Sequence, residues 1–363
     1  MSKKILIAAG GTGGHIFPAI AVAEVLRDKG CDVLWVGVAN KMEARIVPAN
    51  SFPIKFIKIK GFRGKGWLHG LTMPFMMAYS VVQSLLLIFK YKPDVVLGMG
   101  GFVCAPIGLA AFLTRKKLVI HEQNKVAGFT NKALSFLASD VLSAFPDVFK
   151  SKKACVVGNP LRASILDIQK NKKVKSNKKL QQELNILVVG GSLGAAIFNK
   201  NIPLVLAACD DVKKVSILHQ CGRGNKENVL ALYNDINKDC KVEVVEFIED
   251  MASAYLWSDL VVARAGAMTI AELTAFGLPS ILVPFALAVG DHQKHNAFAL
   301  SESKASIMIE ERNFSVSYLS DLINKFLNKP EILNEMGLRA LDFFKADSSV
   351  LVADLCIKKV NND

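Results

Sequence analysis

Residues 4–18 read KILIAAGGTGGHIFP, and residues 185–195 read NILVVGGSLGA. In each stretch a short apolar run comes directly before the pattern Gly-Gly-(Ser/Thr)-x-Gly, and a helical pattern follows. A strand, a glycine turn and a helix in this order are typical of the first unit of a parallel α/β sheet. The chain is therefore predicted to contain this unit twice.

Strand-like and helical patterns alternate after each copy, which predicts an α/β fold with two doubly wound, Rossmann-like domains facing a cleft. We place the first domain at 1–163, a basic linker at 164–184 and the second domain at 185–344. A last helical pattern, at about 345–363, can pack back on the first domain. The predicted strands are 5–9, 32–37, 94–97, 118–121, 141–143, 185–189, 216–219, 242–246, 259–263 and 280–283.

The length and the charge distribution agree with two domains. A chain of 363 residues exceeds the ~300 residues at which a single core stops growing. Residues 1–149 carry 18 basic and 8 acidic side chains, 150–179 carry 10 and 1, and 180–363 carry 17 and 23. A basic first half suits an anionic surface, whereas an acidic second half argues against wrapping by nucleic acid.

The sequence also bears on compartment. Its seven cysteines are widely spaced, without a CxxC pair or a Cys/His cluster, which favours a reducing compartment and no metal site. The first apolar run is too short for a signal peptide, so we expect a cytoplasmic start. Two uncharged stretches, 71–89 and 95–114, reach the ~18 residues of a membrane span. Polar residues, proline and glycine interrupt them, and we predict buried elements of an α/β domain instead.

The two glycine loops are predicted to bind phosphate. Glycine lets a ligand approach bare amides, and the helix that follows presents unsatisfied N–H groups and a positive dipole end. His15 closes the first loop, where it can take a proton from a hydroxyl or contact the phosphate. Ile16 occupies the third-glycine position of a dinucleotide motif, and no Gly-Lys-(Ser/Thr) occurs, so NAD binding and a Walker loop are disfavoured.

Other polar residues follow predicted strands or stand at the domain junction. His121-Glu122-Gln123-Asn124 ends one strand, and Arg162 can offer a bidentate fork to phosphate. Glu272, early in a predicted helix, can accept hydrogen bonds from both ribose hydroxyls. Asp291-His292-Gln293 can bind sugar hydroxyls. No Asp-x-Asp pair is present to seat Mg²⁺, so no cofactor is expected and amides and Arg162 would stabilise a diphosphate.

Six motifs in order resemble the signature series of the MurG family, the bacterial N-acetylglucosaminyltransferases that convert lipid I to lipid II. They are GGTGGHIFP (10–18), GMGGFV (98–103), HEQN (121–124), GNPLR (158–162), GGSLGA (190–195) and RAGAMTIAE (264–272). The resemblance implies a GT-B fold, a UDP-GlcNAc donor and an undecaprenyl-diphosphate-linked acceptor. It also implies inversion at the anomeric carbon, no essential metal and a peripheral position on the cytoplasmic face of the inner membrane.

The resemblance also implies roles for individual residues. His15 is the candidate catalytic base, with Glu122 behind it. Gly100, Gly101 and His121 are candidate acceptor-binding residues. The candidate donor-binding residues are Thr12, Gly13, Gly14, Asn124, Arg162, Ser192, Ile248, Ala267, Met268, Thr269, Glu272, His292 and Gln293. The sequence departs from the family pattern at Phe102, Cys104 and Gly290.

Two alternatives remain open from the residues: a GT-B UDP-GlcNAc 2-epimerase, and a non-enzymatic nucleotide-sugar or nucleic-acid binder using the lysines of 170–179.

A membrane surface is predicted in the first half, because basic residues flank the apolar run 73–89 on both sides. The basic residues are Arg63, Lys65, Lys90 and Lys92, and Trp67 is added as an aromatic residue of the same surface. In that run, a stripe formed by Leu71, Phe75, Ala78, Val82, Leu85 and Phe89 is predicted to face the domain core. Apolar side chains off the stripe are left over for acyl chains of an anionic phospholipid surface.

Overall fold

A computed structural model describes residues 2–59, 67–171, 183–191, 193–236, 240–286 and 289–360. The chain forms two compact units. Unit 1 comprises Met1–Ala163 and Lys345–Asp363, and unit 2 comprises Ser164–Phe344. Each unit has its own parallel sheet.

Unit 1 alternates strands and helices as the sequence predicts. Its elements are β1 (Lys4–Ala8), α1 (Gly13–Asp28), β2 (Asp32–Gly37), α2 (Met42–Ala49), β3 (Ile54–Phe56), α3 (Trp67–Tyr91), β4 (Val95–Gly98), α4 (Cys104–Leu113), β5 (Lys117–Glu122), α5 (Phe129–Leu134), β6 (Asp140–Ser143) and β7 (Ala154–Val156).

The sheet of unit 1 is buried on both faces, which explains the continuous apolar run of β1. Its strand order is β3-β2-β1-β4-β5-β6-β7, and every pair is parallel. Successive side chains of a strand point to opposite faces. Ile5 and Ile7 accordingly join one apolar cluster and Leu6 and Ala8 the other.

Unit 2 repeats this architecture. Its elements are α6 (Ala163–Asn171), β8 (Leu184–Val189), α7 (Ala196–Ala207), β9 (Val215–Gln220), α8 (Lys226–Ile236), β10 (Lys241–Val245), α9 (Met251–Trp257), β11 (Leu260–Ala263), α10 (Ala267–Phe276), β12 (Ser280–Leu282), α11 (His292–Glu302), β13 (Ser306–Met308), α12 (Val316–Asn328) and α13 (Glu331–Leu341). The strand order is β10-β9-β8-β11-β12-β13, again all parallel.

The last helix, α14 (Ser348–Val360), belongs to unit 1 and packs against α1. Val352, Ala353 and Cys356 are fully buried in the unit 1 core. Ion pairs of Lys29 with Asp354 and of Lys359 with Asp140 add polar contacts at the edges of this helix.

The segment 164–184, predicted to be a basic linker, is partly helical. Its first residues are helical in α6, and Ile165 is only 2% exposed. The apolar spacing of α6 was hidden by the lysines that follow it. Most of the lysine run itself, from residue 172, lies outside the described residues.

Helix α3 is oriented differently from the predicted stripe. Phe75, Val82 and Phe89 were expected in the core, but they are 79%, 51% and 62% exposed. Ser80 and Ser84 are fully buried instead. The Ser80 hydroxyl shares its hydrogen between the carbonyl oxygens of Lys58 and Met76. The Ser84 hydroxyl donates to the Ser80 carbonyl. A buried hydroxyl is tolerated once it is hydrogen-bonded. The prediction that residues 71–89 form a buried element was therefore wrong for the outer face.

Residues Met73–Tyr91 have the length and the apolar composition of a membrane span, the one such helix among the described residues. Its inner side nevertheless packs on the unit 1 core through Ile88 and on α4. The stretch 95–114 contains the buried strand β4 and all of α4, which is mostly buried as predicted but exposed at its end, at Phe112 and Leu113.

Candidate active site and donor site

Each sheet has one point where the strand order reverses, and ligands of open α/β sheets bind at such points, beyond the carboxyl ends of the strands. In unit 1 the reversal lies between β1 and β4, and in unit 2 between β8 and β11. The first glycine loop follows β1 and the second follows β8. Both predicted phosphate loops therefore stand at a reversal point of their own sheet.

The first glycine loop leaves helix α1 open to an anion. The helix begins at Gly13, so Gly13 and Gly14 form its first turn. Thr12 caps it with extended backbone, and within the described residues its hydroxyl caps no helix amide. The first turn contains no carboxylate. Free N–H groups and the helix dipole at this end favour a phosphate.

The loop after β4 lies directly against the first glycine loop. Gly10 N–H donates to the Gly100 carbonyl at 3.3 Å. A Cβ at Gly101 would stand 2.3 Å from the Gly10 carbonyl oxygen, and one at Gly100 would stand 2.4 Å from His15 Nδ1. The backbone φ angles of Gly100 and Gly101 are +103° and +91°. These two predicted acceptor residues thus have a structural reason to be glycine.

Buried Glu43 holds the first glycine loop, a role that no sequence pattern predicted. Its carboxylate accepts from Gly11 N–H at 3.1 Å and from Val38 N–H at 3.0 Å, and the residue is fully buried. The tight fit is visible at Gly10, where a Cβ would stand 2.5 Å from Glu43 Oε1. A glutamate beyond the end of strand β2 carries no sequence signal for this role, since only the fold brings it to the loop.

Cys104, a departure from the family pattern, does what a hydroxyl would do there. Its Sγ accepts from Gly100 N–H at 3.2 Å and donates to the carbonyl of Ala8 at 3.1 Å. Complete burial raises the pKa of this thiol to about 12, so the S–H stays protonated. Cysteine therefore keeps the loop 99–104 attached to β1.

His121 does not stand where the resemblance implied. It was predicted to contact the acceptor, but it is fully buried, and its Nε2 lies 2.9 Å from the Gly158 carbonyl. Burial lowers its pKa to about 4, which keeps the imidazole neutral. His121 is therefore a supporting residue beneath the site. The side chain between it and His15 is Gln123, whose Oε1 is 3.0 Å from His15 Nδ1.

Glu122 is arranged to hold a loop. One carboxylate oxygen accepts from the backbone and side-chain N–H groups of Asn124, at 3.1 and 3.0 Å. The other accepts from Gly128 N–H at 3.0 Å and from Asn131 Nδ2 at 2.9 Å. The carboxylate is only 2% exposed, and all four of these donors belong to the protein. Glu122 thus orients Asn124 and holds the start of helix α5.

Arg162 belongs to unit 1 and lies over an aromatic ring. Its guanidinium carbon is 5.0 Å from the ring centroid of Phe17, a residue of α1. This contact keeps the guanidinium near the helix that begins at the first glycine loop.

In unit 2, the second glycine loop also precedes an open helix end. Helix α7 is capped by Ala195, without a side-chain cap or an acidic residue in its first turn. Backbone packing fixes the loop: a Cβ at Gly194, where φ is +73°, would stand 2.0 Å from the Cys221 carbonyl oxygen. Ser192, the predicted donor ligand of this loop, lies outside the described residues.

Helix α10 begins at the same reversal point, because it follows β11, the neighbour of β8 in the sheet. It starts at Ala267 after Gly266, with no acidic residue in its first turn, so predicted donor residues Ala267, Met268 and Thr269 form that turn. Glu272 follows one turn later, and Tyr255 donates its hydroxyl to Glu272 Oε2 at 2.9 Å. Tyr255 is 1% exposed and so fixes this carboxylate.

Arg264, which directly follows β11, holds the loop after β12 in place. It pairs with Glu311 at 3.0 Å and donates to the carbonyls of Val283 and Pro284. Glu311 in turn accepts from Ala286 N–H at 3.2 Å. The motif arginine is thus engaged with the protein.

The predicted sugar-contacting pair stands at the start of α11. Gln293 Oε1 accepts from Phe285 N–H at 3.0 Å, and His292 is half-buried. Gly290, a departure from the family pattern, has φ +66°, which suits glycine. Ile248, predicted to contact uracil through its backbone, lies beyond the end of β10 and is 9% exposed.

Among the described residues, no three His, Cys, Asp or Glu side chains are grouped so as to hold a metal ion.

Family models match both halves of the chain. Residues 5–143 match the glycosyltransferase family 28 N-terminal domain, and residues 185–352 match the family 28 C-terminal domain.

Two relatives that match over nearly their whole length share the name UDP-N-acetylglucosamine–N-acetylmuramyl-(pentapeptide) pyrophosphoryl-undecaprenol N-acetylglucosamine transferase. The Shewanella oneidensis protein is 46% identical over 355 residues, covering 98% of this chain and 97% of its own length. The Shewanella sediminis protein is 44% identical over 361 residues, covering 99% and 98%.

Two solved structures are similar to this chain in fold. The crystal structure of Acinetobacter baumannii MurG superimposes with a TM-score of 0.85 at 35% identity, covering 98% of this chain and 99% of that one. The UDP-GlcNAc 2-epimerase of Neisseria meningitidis, bound to UDP-GlcNAc, has a TM-score of 0.68 at 14% identity, covering 98% and 100%. That likeness shows the fold alone.

The two buried histidines predict a pH dependence of stability. Burial lowers the pKa of His121 and of His219 to about 4, from 6.5 when exposed. The unfolded chain therefore binds more protons between these values, and the stability present above pH 6.5 is lost as the pH falls toward 4. We expect the midpoint of thermal unfolding to decrease already between pH 6.5 and 5, before most carboxylates titrate. NMR titration should show both rings neutral at pH 5; rings protonated at that pH would contradict the assignment.

Proposed function

Since the chain belongs to glycosyltransferase family 28, we propose that it transfers N-acetylglucosamine from UDP-GlcNAc to the C4 hydroxyl of N-acetylmuramyl-pentapeptide in undecaprenyl-linked lipid I. The product is lipid II, the precursor of peptidoglycan. The observation that carries the proposal is 46% identity to a transferase of that name over 98% of the chain. The epimerase alternative rests on 14% identity.

Unit 2 is assigned the donor. Helices α7 and α10 both begin at the edge of the sheet where its strands end, without a side-chain cap and without an acidic residue in the first turn, which suits the two phosphates of UDP. Glu272, held by Tyr255, binds the ribose hydroxyls, and Ile248 contacts uracil through its backbone. His292 and Gln293 contact the sugar, and Ser192 contacts the diphosphate.

Unit 1 is assigned the acceptor and the proton transfer. The loop containing Gly100 and Gly101 and the open end of α1 receive the acceptor beside His15. Thr12, Gly13, Gly14, Asn124 and Arg162 complete the contacts to the donor.

The reaction is a single displacement. His15 Nε2 accepts the proton of the C4 hydroxyl while that oxygen forms a bond to the anomeric carbon. The bond from that carbon to the diphosphate oxygen breaks, and UDP leaves with the electron pair, so the configuration inverts. Helix N-termini and Arg162 stabilise the negative charge on the leaving diphosphate.

One assay tests the function. Labelled UDP-GlcNAc is incubated with the protein, with and without a short-chain lipid I analogue, and with and without EDTA. We expect label on the acceptor at nearly the same rate with the chelator, because no metal participates. Epimerised or unchanged donor would overturn the proposal, and loss of activity in EDTA restored by Mg²⁺ would overturn its metal-independent form.

Loss of the base should lower turnover more than binding. His15→Ala should reduce kcat by about 10²- to 10⁴-fold with little change in UDP-GlcNAc affinity. The matched control is His295→Ala, which removes an exposed histidine of α11 and should keep kcat. A His15→Ala protein that loses donor binding but keeps kcat would reassign His15 to phosphate contact.

Glu272 should discriminate ribose from deoxyribose. Glu272→Gln should weaken binding of uridine nucleotides more than of 2′-deoxyuridine nucleotides, since the carboxylate loses its ribose partners. Glu335→Gln, at an exposed glutamate of α13, is the control. Equal losses for both nucleotides, measured by calorimetry, would make Glu272 a structural residue.

We infer that unit 1 also carries the membrane surface. The outward side of α3 exposes five large apolar residues spaced by four, three, four and three: Phe75, Tyr79, Val82, Leu86 and Phe89. Exposed Phe112 and Leu113 end the neighbouring helix α4. An exposed apolar stripe of this size marks a surface that binds a partner, here proposed to be a membrane. Lys90 and Lys92 are exposed at the end of the stripe, whereas Arg63, Lys65 and the side chain of Trp67 lie outside the described residues.

This surface supports peripheral attachment to the cytoplasmic face of the inner membrane, where an undecaprenyl acceptor is anchored. Lys90 and Lys92 would each add roughly 1 kcal/mol near an anionic leaflet, and salt would weaken that part. No nucleic-acid partner is proposed.

The stripe makes the membrane proposal testable. The triple variant Phe75→Ser, Leu86→Ser and Phe89→Ser should bind phosphatidylglycerol vesicles at least about 10-fold less tightly, because burying each side chain contributes ~1.5–3 kcal/mol. Transfer to a long-chain acceptor should slow, and transfer to a short-chain one should not. Phe298→Ser with Leu338→Ser removes exposed apolar side chains of unit 2 as a control. Unchanged vesicle sedimentation of the triple variant would reject this surface.

A further inference from the structure

A chain of hydrogen bonds runs beneath the active site within unit 1. His15 Nδ1 is 3.0 Å from Gln123 Oε1. Gln123 Nε2 is 2.9 Å from the Met99 carbonyl oxygen and 3.1 Å from His121 Nδ1. His121 Nε2 is 2.9 Å from the Gly158 carbonyl oxygen. Two backbone carbonyls thus anchor a line of three side chains.

The anchors determine where the hydrogens lie. A carbonyl oxygen only accepts, so His121 Nε2 carries its hydrogen and donates it to Gly158. A neutral imidazole has one N–H, which leaves His121 Nδ1 as an acceptor for the amide N–H of Gln123. The Met99 carbonyl independently requires that this Gln123 atom be nitrogen.

The amide oxygen of Gln123 is then the end that faces His15. Because that oxygen only accepts, the His15 hydrogen lies on Nδ1, and Nε2 of the neutral ring keeps the lone pair. Within the part of the chain that the structure describes, only Nδ1 of His15 takes part in a hydrogen bond.

The network is rigid. Gln123 and His121 are 1% and 0% exposed, so water does not compete for their hydrogen bonds. The His15 ring also lies against the Gly100 backbone, where a Cβ would stand 2.4 Å from Nδ1.

We propose that Gln123 is a positioning residue for proton transfer: its amide fixes His15 in the Nδ1–H tautomer and leaves Nε2 as the proton acceptor for the sugar hydroxyl. The inference rests on the proposed function and deepens it. An amide orients the ring without adding a negative charge, which a carboxylate at this position would do.

The tautomer can be read directly. In ¹⁵N NMR of the wild-type protein above pH 7, the His15 ring should show a protonated Nδ1 and an unprotonated Nε2, with signals assigned by their absence in His15→Ala. In Gln123→Met the hydrogen should redistribute between the two nitrogens. A wild-type ring with its hydrogen on Nε2 overturns the inference, whatever the activity.

Kinetics separates positioning from simple structural support. With a short-chain acceptor, Gln123→Met should lower kcat by ~10²-fold, the lower end of a general base's contribution, with the KM for UDP-GlcNAc unchanged. The control is Gln83→Met, the same exchange on helix α3, where Gln83 accepts a hydrogen bond from Lys58 N–H. This variant should keep kcat.

Gln123→Glu gives a readout that structural damage would not produce. A carboxylate beside Nδ1 would stabilise the imidazolium, so the acid limb of the kcat/KM profile should move to higher pH. Unshifted profiles in this variant, or full kcat in Gln123→Met, overturn the inference. A wild-type protein that transfers no GlcNAc would instead overturn the proposed function, and the NMR result would still decide the tautomer.

Discussion

The active-site half of this structure depends on the close approach of two backbone loops, 9–14 and 99–104, at the reversal point of the first sheet. The contact leaves no room for a Cβ at Gly101, which faces the Gly10 carbonyl oxygen. It places His15 against Gly100 and brings Cys104 to the Ala8 carbonyl. His15 takes its position from this backbone packing together with its hydrogen bond to Gln123.

The proposed anion binding depends on three helix N-termini that lack side-chain caps. Helices α1, α7 and α10 all begin after glycine-containing turns, without side-chain caps and without acidic residues in their first turns. A serine or aspartate cap stabilises a helix by about 1 kcal/mol. In the proposed function, the positive dipole ends of these helices stabilise phosphate groups instead.

Helix α3 shows how a helix can reverse its expected orientation. Hydrophobic patterning predicted that Phe75, Val82 and Phe89 face the core, yet they face outward and two serines face inward. The serines are satisfied by carbonyls, one of them from Lys58 of the preceding segment. Apolar residues all around a helix do not fix its rotation, and the segment that covers one side does. The outward stripe is then available for a membrane.

Sequence patterns predict the two α/β units, most strands to within one or two residues, and the motif positions, because alternating apolar runs and glycine turns are local signals. They missed the three-residue edge strands β3, β7 and β13, which are too short to give such a run. They indicated His15 as the candidate base, Glu122 as the second candidate and His121 as a candidate acceptor-binding residue. Only the tertiary structure decided that Glu122 is saturated by four donors, that His121 is buried, and that Gln123 stands between His121 and His15. Those distinctions depend on hydrogen-bond direction and burial between residues up to 108 positions apart, which no local pattern encodes.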